Sequence, residues 1–94
     1  MVVVPRIEVI QYDGTNSASI LTTLNTMPSY SGGTWSIVEE DLEGVVFKIF
    51  YEEYNEGIYP KLAPGDYVLI TSQFGSVNTV PEDKLLDWYV VVAE

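Results

Sequence analysis

The side chains of this chain that could do chemistry are carboxylates and tyrosines, and they fall close together. Glu52, Glu53 and Glu56 crowd one irregular segment, Tyr51, Tyr54 and Tyr59 interleave with them, and Tyr30 and Trp35 flank the Gly32–Gly33 pair. Glutamates at this density could hold calcium or magnesium weakly, but they lack the regular oxygen spacing and central glycine of a calcium loop. A solvated acidic face is the simpler reading, and no metal or cofactor is expected. Tyrosine covers a large area at small entropic cost and keeps a hydroxyl for hydrogen bonding, which suits an interface. The candidate partner-binding set is therefore Tyr30, Trp35, Tyr51, Tyr54 and Tyr59 with Glu52, Glu53 and Glu56. The competing reading is that about half of these aromatics simply cover a sheet.

Catalysis has little to draw on. Histidine and cysteine are both missing, which removes the usual proton shuttle near neutral pH, the commonest nitrogen ligand, the thiolate nucleophile and any disulfide. Serines and threonines lack an imidazole partner, and a Ser–Lys arrangement would have to use Lys48, Lys61 or Lys84. No enzyme activity is expected. Asp66, just after Pro64-Gly65, reads as a residue that caps its own turn.

Fourteen acidic residues against four basic ones give a formal charge of −10. Such a surface repels phosphate backbones and anionic membranes, so direct nucleic-acid or membrane binding is not expected. The carboxylates gather near 39–43, 52–56 and 82–87, and the charge serves either solubility or a basic partner. The apolar N-terminal stretch is too short for the core of a signal peptide, and the longest apolar run, Trp88 to Ala93, is far below the ~20 residues that span a bilayer. A cytoplasmic or virion-like soluble setting is expected.

These residues have to be positioned by a single domain, 1–94, whose length allows one core. Arg6 to Tyr12 alternates as a strand, and Asp13-Gly14 is a turn. Thr15 or Asn16 then caps a short helix near 16–25, with Ile20, Leu21, Leu24 and Met27 on one stripe and Pro28 forbidding continuation. Thr34 to Val38 and Val45 to Tyr51 form a hairpin around the loop Glu39–Gly44. The second of these strands alternates apolar residues on both faces, so it should be central. Glu52 to Lys61 reads as an extended loop. Pro64-Gly65-Asp66 is a turn before a strand at Tyr67–Thr71, which forms a hairpin with Val77–Val80. Thr79 and Glu82 stand at capping-box spacing around Pro81, giving a helical turn near 81–86. Trp88 to Ala93 closes the fold as a strand. The architecture expected is α+β: a mainly antiparallel sheet of five or six strands with one short helix on a face, and Trp35, Phe47, Ile49, Leu69, Trp88 and Val90 in the core.

Two segments, Val9-Ile10-Gln11-Tyr12-Asp13-Gly14-Thr15-Asn16 and Leu62-Ala63-Pro64-Gly65-Asp66-Tyr67-Val68-Leu69-Ile70 with Gly75 following, resemble a group of small phage and prophage proteins without an established biochemical role. The ending at Trp88-Tyr89 is similar in character. Together these segments touch about a third of the chain, and they are turn and strand signals that bear on source more than on a site. The loop at Ser29 to Gly33, the segment Glu52 to Lys61 and the stretch Ser76 to Pro81 depart from that pattern.

Three functions fit. The first is a virion accessory protein, a capsid decoration or minor structural subunit, that docks by an edge strand or aromatic loops and assembles symmetrically, possible homo-oligomerisation included. The second is an inhibitor of a host or anti-phage defence protein that mimics nucleic-acid charge with its acidic surface, with binding that high salt abolishes. The third is a pocket that sequesters a small neutral molecule.

Overall fold

The computed structural model describes residues 1–3, 6–26, 33–50, 56–71 and 76–91. The chain runs β1 (Ile7–Gln11), α1 (Ser17–Thr26), β2 (Thr34–Asp41), β3 (Gly44–Phe50), β4 (Glu56–Ile58), β5 (Tyr67–Thr71) and β6 (Ser76–Val80). A 3₁₀ turn (Glu82–Lys84) then leads into α2 (Leu85–Trp88). The fold is α+β. The six strands are divided between two antiparallel three-stranded sheets, ordered β1-β5-β6 and β2-β3-β4, a division that alternation along single strands does not reveal.

Turn chemistry sets the first sheet. The Asp66 N–H donates to the Ala63 carbonyl at 2.9 Å, and Gly65 has φ +101°, so Pro64-Gly65 occupies the centre of a turn that needs a fixed φ and then a positive one. As expected, Asp66 caps this turn: Oδ2 accepts from the Ala63 N–H at 3.0 Å, while Oδ1 accepts from the Glu82 N–H at 3.0 Å. One carboxylate thus ties the entry of β5 to the helical turn after β6. That turn forms, but without the expected capping box, since its N-terminal position, Pro81, has no side-chain cap.

In the second sheet the central place of β3 is as expected, with Val45, Phe47 and Ile49 buried. Its hairpin with β2 is tighter than expected. The strands run on to Asp41 and Gly44, leaving Leu42-Glu43 as a two-residue turn whose amides at Glu43 and Gly44 donate to Asp41 Oδ1. Gly44 is required here because a Cβ at this position would strike the Leu62 carbonyl, and that carbonyl accepts from the Val45 N–H at 3.0 Å. Val38 is the extra residue of a bulge between the Ile37–Phe47 and Glu39–Val46 pairs. The segment read as an extended loop contains β4, paired through Lys48–Ile58, Ile49–Gly57 and Phe50–Glu56. Three residues bearing a glycine carry too little alternation to announce a strand.

Helix α1 lies where its apolar stripe put it, with Ile20 and Leu24 buried; Met27 lies outside the described residues. Asn16 precedes the helix and its carbonyl accepts from the Ile20 N–H at 3.0 Å. Its side chain locks the preceding turn, accepting from the Asp13 N–H and donating to the Gln11 carbonyl, both at 2.9 Å. At the other end Asn25 behaves as a piece of strand: Oδ1 accepts from the Trp35 N–H at 2.8 Å and Nδ2 donates to the Trp35 carbonyl at 3.1 Å. This fastens the helix to the outer edge of β2. One core lies between α1 and the two sheets, built of Tyr12, Ile20, Leu24, Trp35, Val45, Phe47, Ile49, Leu62, Val68 and Ile70. Leu69 and Val80 are buried outside that cluster.

The C-terminal reading needs correction. Trp88 and Val90, expected in the core, are 58% and 88% exposed, and residues 88–91 form no strand, Trp88 ending α2 instead. Their apolar, β-branched composition gives a strand propensity, but propensity is realised only against a partner strand. None of the described residues supplies one.

Candidate functional site

The face of β2-β3-β4 turned away from the core carries exposed apolar side chains on a registered ladder. Because paired residues of an antiparallel ladder project to the same side, the register sets Thr34, Phe50 and Glu56 in one row and Ser36, Lys48 and Ile58 in the next. The Tyr59 N–H donates to the Phe47 carbonyl at 3.0 Å, which fixes the alternation and makes Lys48–Ile58 and Phe50–Glu56 the closely spaced, non-hydrogen-bonded pairs. Lys48 Nζ reaches Glu56 Oε1 diagonally at 3.2 Å. On the other diagonal stand Phe50, 49% exposed, and Ile58, 64% exposed. Val46 is half-buried in the same plane and Val38 is exposed at the bulge. The result is an open face on which Phe50 and Ile58 stand exposed among Thr34, Ser36 and the Lys48–Glu56 ion pair.

The acidic hairpin has a different design. The Val45–Leu62 bridge brings Lys61 beside the turn, where Nζ lies 2.8 Å from Asp41 Oδ2, 3.6 Å from Glu39 Oε1 and 3.9 Å from Glu43 Oε2. The hydrogen bond from Lys61, followed by that from the Glu43 N–H, holds the Asp41 carboxyl below its ordinary range. Reciprocally, the hydrogen bond to Asp41 raises the Lys61 ammonium. Glu40, on the core-facing row with Val45, accepts from the Tyr12 hydroxyl at 3.3 Å and so links the two sheets. Burial, and then the charge of Glu40, push the Tyr12 phenol above its ordinary value. Among the described residues no group of three or more Asp or Glu is placed to hold a metal ion.

The residues singled out from sequence are not brought together as one set. Trp35 is buried at 5% exposure and packs on the half-buried Tyr59, ring centroids 5.1 Å apart and inclined at 51°. Glu56 is exposed and paired with Lys48. Tyr30, Tyr51, Glu52, Glu53 and Tyr54 lie outside the described residues. Lys48 and Phe50 were missed because the alternation of Val45–Tyr51 reads equally well as a strand covered on both faces, and Ile58 because Glu52 to Lys61 reads as an extended loop. The exposed Leu86, Trp88, Val90 and Val91 were missed because their composition reads as core. Between the sheets a cavity of about 10 Å³, lined by residues of α1, β2, β3, β5 and β6 together with Tyr59, has room for no more than a single water.

Against known protein families, curated proteins and solved structures, the chain finds no match in any of the three comparisons.

Proposed function

We propose that this chain is a non-catalytic protein-binding domain that docks through the outer face of β2-β3-β4, and that it serves as an accessory subunit of a phage particle. The observation that carries the docking reading is the pair Phe50 and Ile58, exposed as diagonal neighbours on the β3–β4 ladder where apolar side chains would ordinarily be turned inward. The Lys48–Glu56 pair beside them gives a partner polar groups with which to set register. The absence of histidine and cysteine from the sequence supports a role without catalysis. The phage setting draws its support from the resemblance carried by Val9–Asn16 and Leu62–Ile70.

The acidic-inhibitor reading has weaker support, because several of the carboxylates it would use are already engaged. Asp41 bonds Lys61, Glu56 bonds Lys48, and Asp66 holds two backbone amides. A pocket for a small molecule draws none from a cavity of about 10 Å³.

The test is mass spectrometry of purified particles of the phage that encodes the chain, comparing wild type with a Phe50→Lys, Ile58→Lys double variant whose fold is verified by circular dichroism. Wild type at constant copy number, with the variant excluded, is the result expected. Absence of wild type from the particle overturns the virion role, and incorporation of the variant at the wild-type level overturns the docking face.

A further inference from the structure

We infer that the C-terminal segment 89–91, just after α2, docks as an added strand on the β1 edge of a second copy of this chain, in a reciprocal two-fold exchange. The acceptor follows from hydrogen-bond parity. The Tyr12 N–H donates to the Asp66 carbonyl at 2.9 Å, continuing the β1–β5 register. Bonding alternates along an antiparallel pair, so Glu8 and Ile10 turn their amides toward β5 while Ile7 and Val9 turn theirs outward. At Gln11 the outward carbonyl is taken by Asn16 Nδ2, and at the opposite sheet's β2 edge Asn25 plays the same part for Trp35. The outward groups of Ile7 and Val9 have no strand beside them among the described residues, and both side chains are partly exposed.

The donor is on the same chain. After α2 the backbone at Tyr89 is extended, at φ −135° and ψ 155°, and Trp88, Val90 and Val91 are exposed with Leu86 just before them. With the stretch after α2 laid along β1, Val90 stands beside Ile7 and Val9 as a β-branched cross-strand set, and Trp88, the last residue of α2, borders them at the start of the stretch. The exposed parts of Ile7, Val9, Trp88, Val90 and Val91 offer roughly 500 Å² per protomer and about 1,000 Å² across a two-fold pair, the area at which an interface becomes specific. A second copy is thus the occupant that supplies both halves. Because each copy carries a charge of −10, added salt screens their repulsion and strengthens the pairing. The inference does not rest on the docking face proposed above, which belongs to the other sheet.

Sedimentation velocity from about 1 µM to about 1 mM, at low and high salt, is the test. The expected result is a monomer–dimer equilibrium tightened by salt and weakened about tenfold or more both by Val9→Pro, which removes an outward amide, and by Val90→Lys, at an exposed position that leaves folding intact. A wild type that stays monomeric throughout, or a dimer indifferent to Val90→Lys, overturns the inference.

Discussion

Removing the Asn25 side chain tests how the helix and the second sheet are joined. Its amide makes two hydrogen bonds to one residue, accepting from the Trp35 N–H at 2.8 Å and donating to the Trp35 carbonyl at 3.1 Å. Each bond contributes about 1 kcal/mol net, and alanine returns about 0.5 kcal/mol of helix propensity at this terminal position. Asn25→Ala should therefore cost about 1.5 kcal/mol, which in a domain of this size lowers Tm by roughly 6–12 °C. Asn25→Asp separates the two bonds. The carboxylate still accepts from the Trp35 N–H but faces the Trp35 carbonyl with no proton to give, and it adds negative charge at the C-terminal end of the helix, worth a further 0.3–1 kcal/mol or so. Both effects raise the folded-state pKa of the introduced carboxyl above its unfolded value. Its contribution is then most favourable below the unfolded value, about pH 4, and is lost as pH rises through the folded one. Urea unfolding at neutral pH and at about pH 4 reads both variants, provided the m-value is unchanged. A loss below about 0.5 kcal/mol for Asn25→Ala, or a pH-independent Asn25→Asp, would show that the clamp holds nothing.

Three further outcomes follow from other contacts. Lys61→Met should return the Asp41 carboxyl toward its ordinary range, because the hydrogen bond from Lys61 is the largest cause of its depression. In wild type that depressed carboxyl contributes stability above its unfolded pKa that is lost as pH falls through the folded value; an NMR titration of Asp41 in both proteins checks the shift, and no difference would refute the assignment. Gly44→Ala should cost about 1–3 kcal/mol in urea unfolding, since its Cβ meets the Leu62 carbonyl, a backbone atom that cannot move without breaking the bond to Val45. Tyr12→Phe should lose about 0.5–1 kcal/mol with the hydroxyl's bond to Glu40. Its raised phenol pKa contributes stability that is present below the unfolded value, about 10, and lost as pH rises through the folded one, so the variant should show less of this alkaline loss by ultraviolet titration.

What could be read in advance was local. The strand at Ile7–Gln11 and the one at Tyr67–Thr71, and the helix between Asp13-Gly14 and Pro28, are specified by alternation, stripe and turn residues within a few positions of themselves. Asp66 was legible for the same reason, its partner Ala63 being three residues away. The division into two sheets was not, because it depends on β1 choosing β5 across more than half the chain. The surface residues were hardest. Phe50 and Val90 carry the same side-chain chemistry as Phe47 and Val68, and only the packing of distant elements leaves the first two outside. Trp35 shows the converse, an aromatic beside a glycine pair that suggested a contact site and is held in the core.

The pairing of β1 with β5 also sets an order of events at the ribosome. The first strand to emerge can find its partner only after α1 and the whole of β2-β3-β4 have been synthesised, whereas the β2–β3 hairpin closes through two residues as soon as it appears. Nascent chain therefore carries β1 unpaired for most of its synthesis. A bulky N-terminal fusion would lie next to the strand that waits longest, so a tag at that end should slow maturation of the first sheet while leaving the second to form at its usual time.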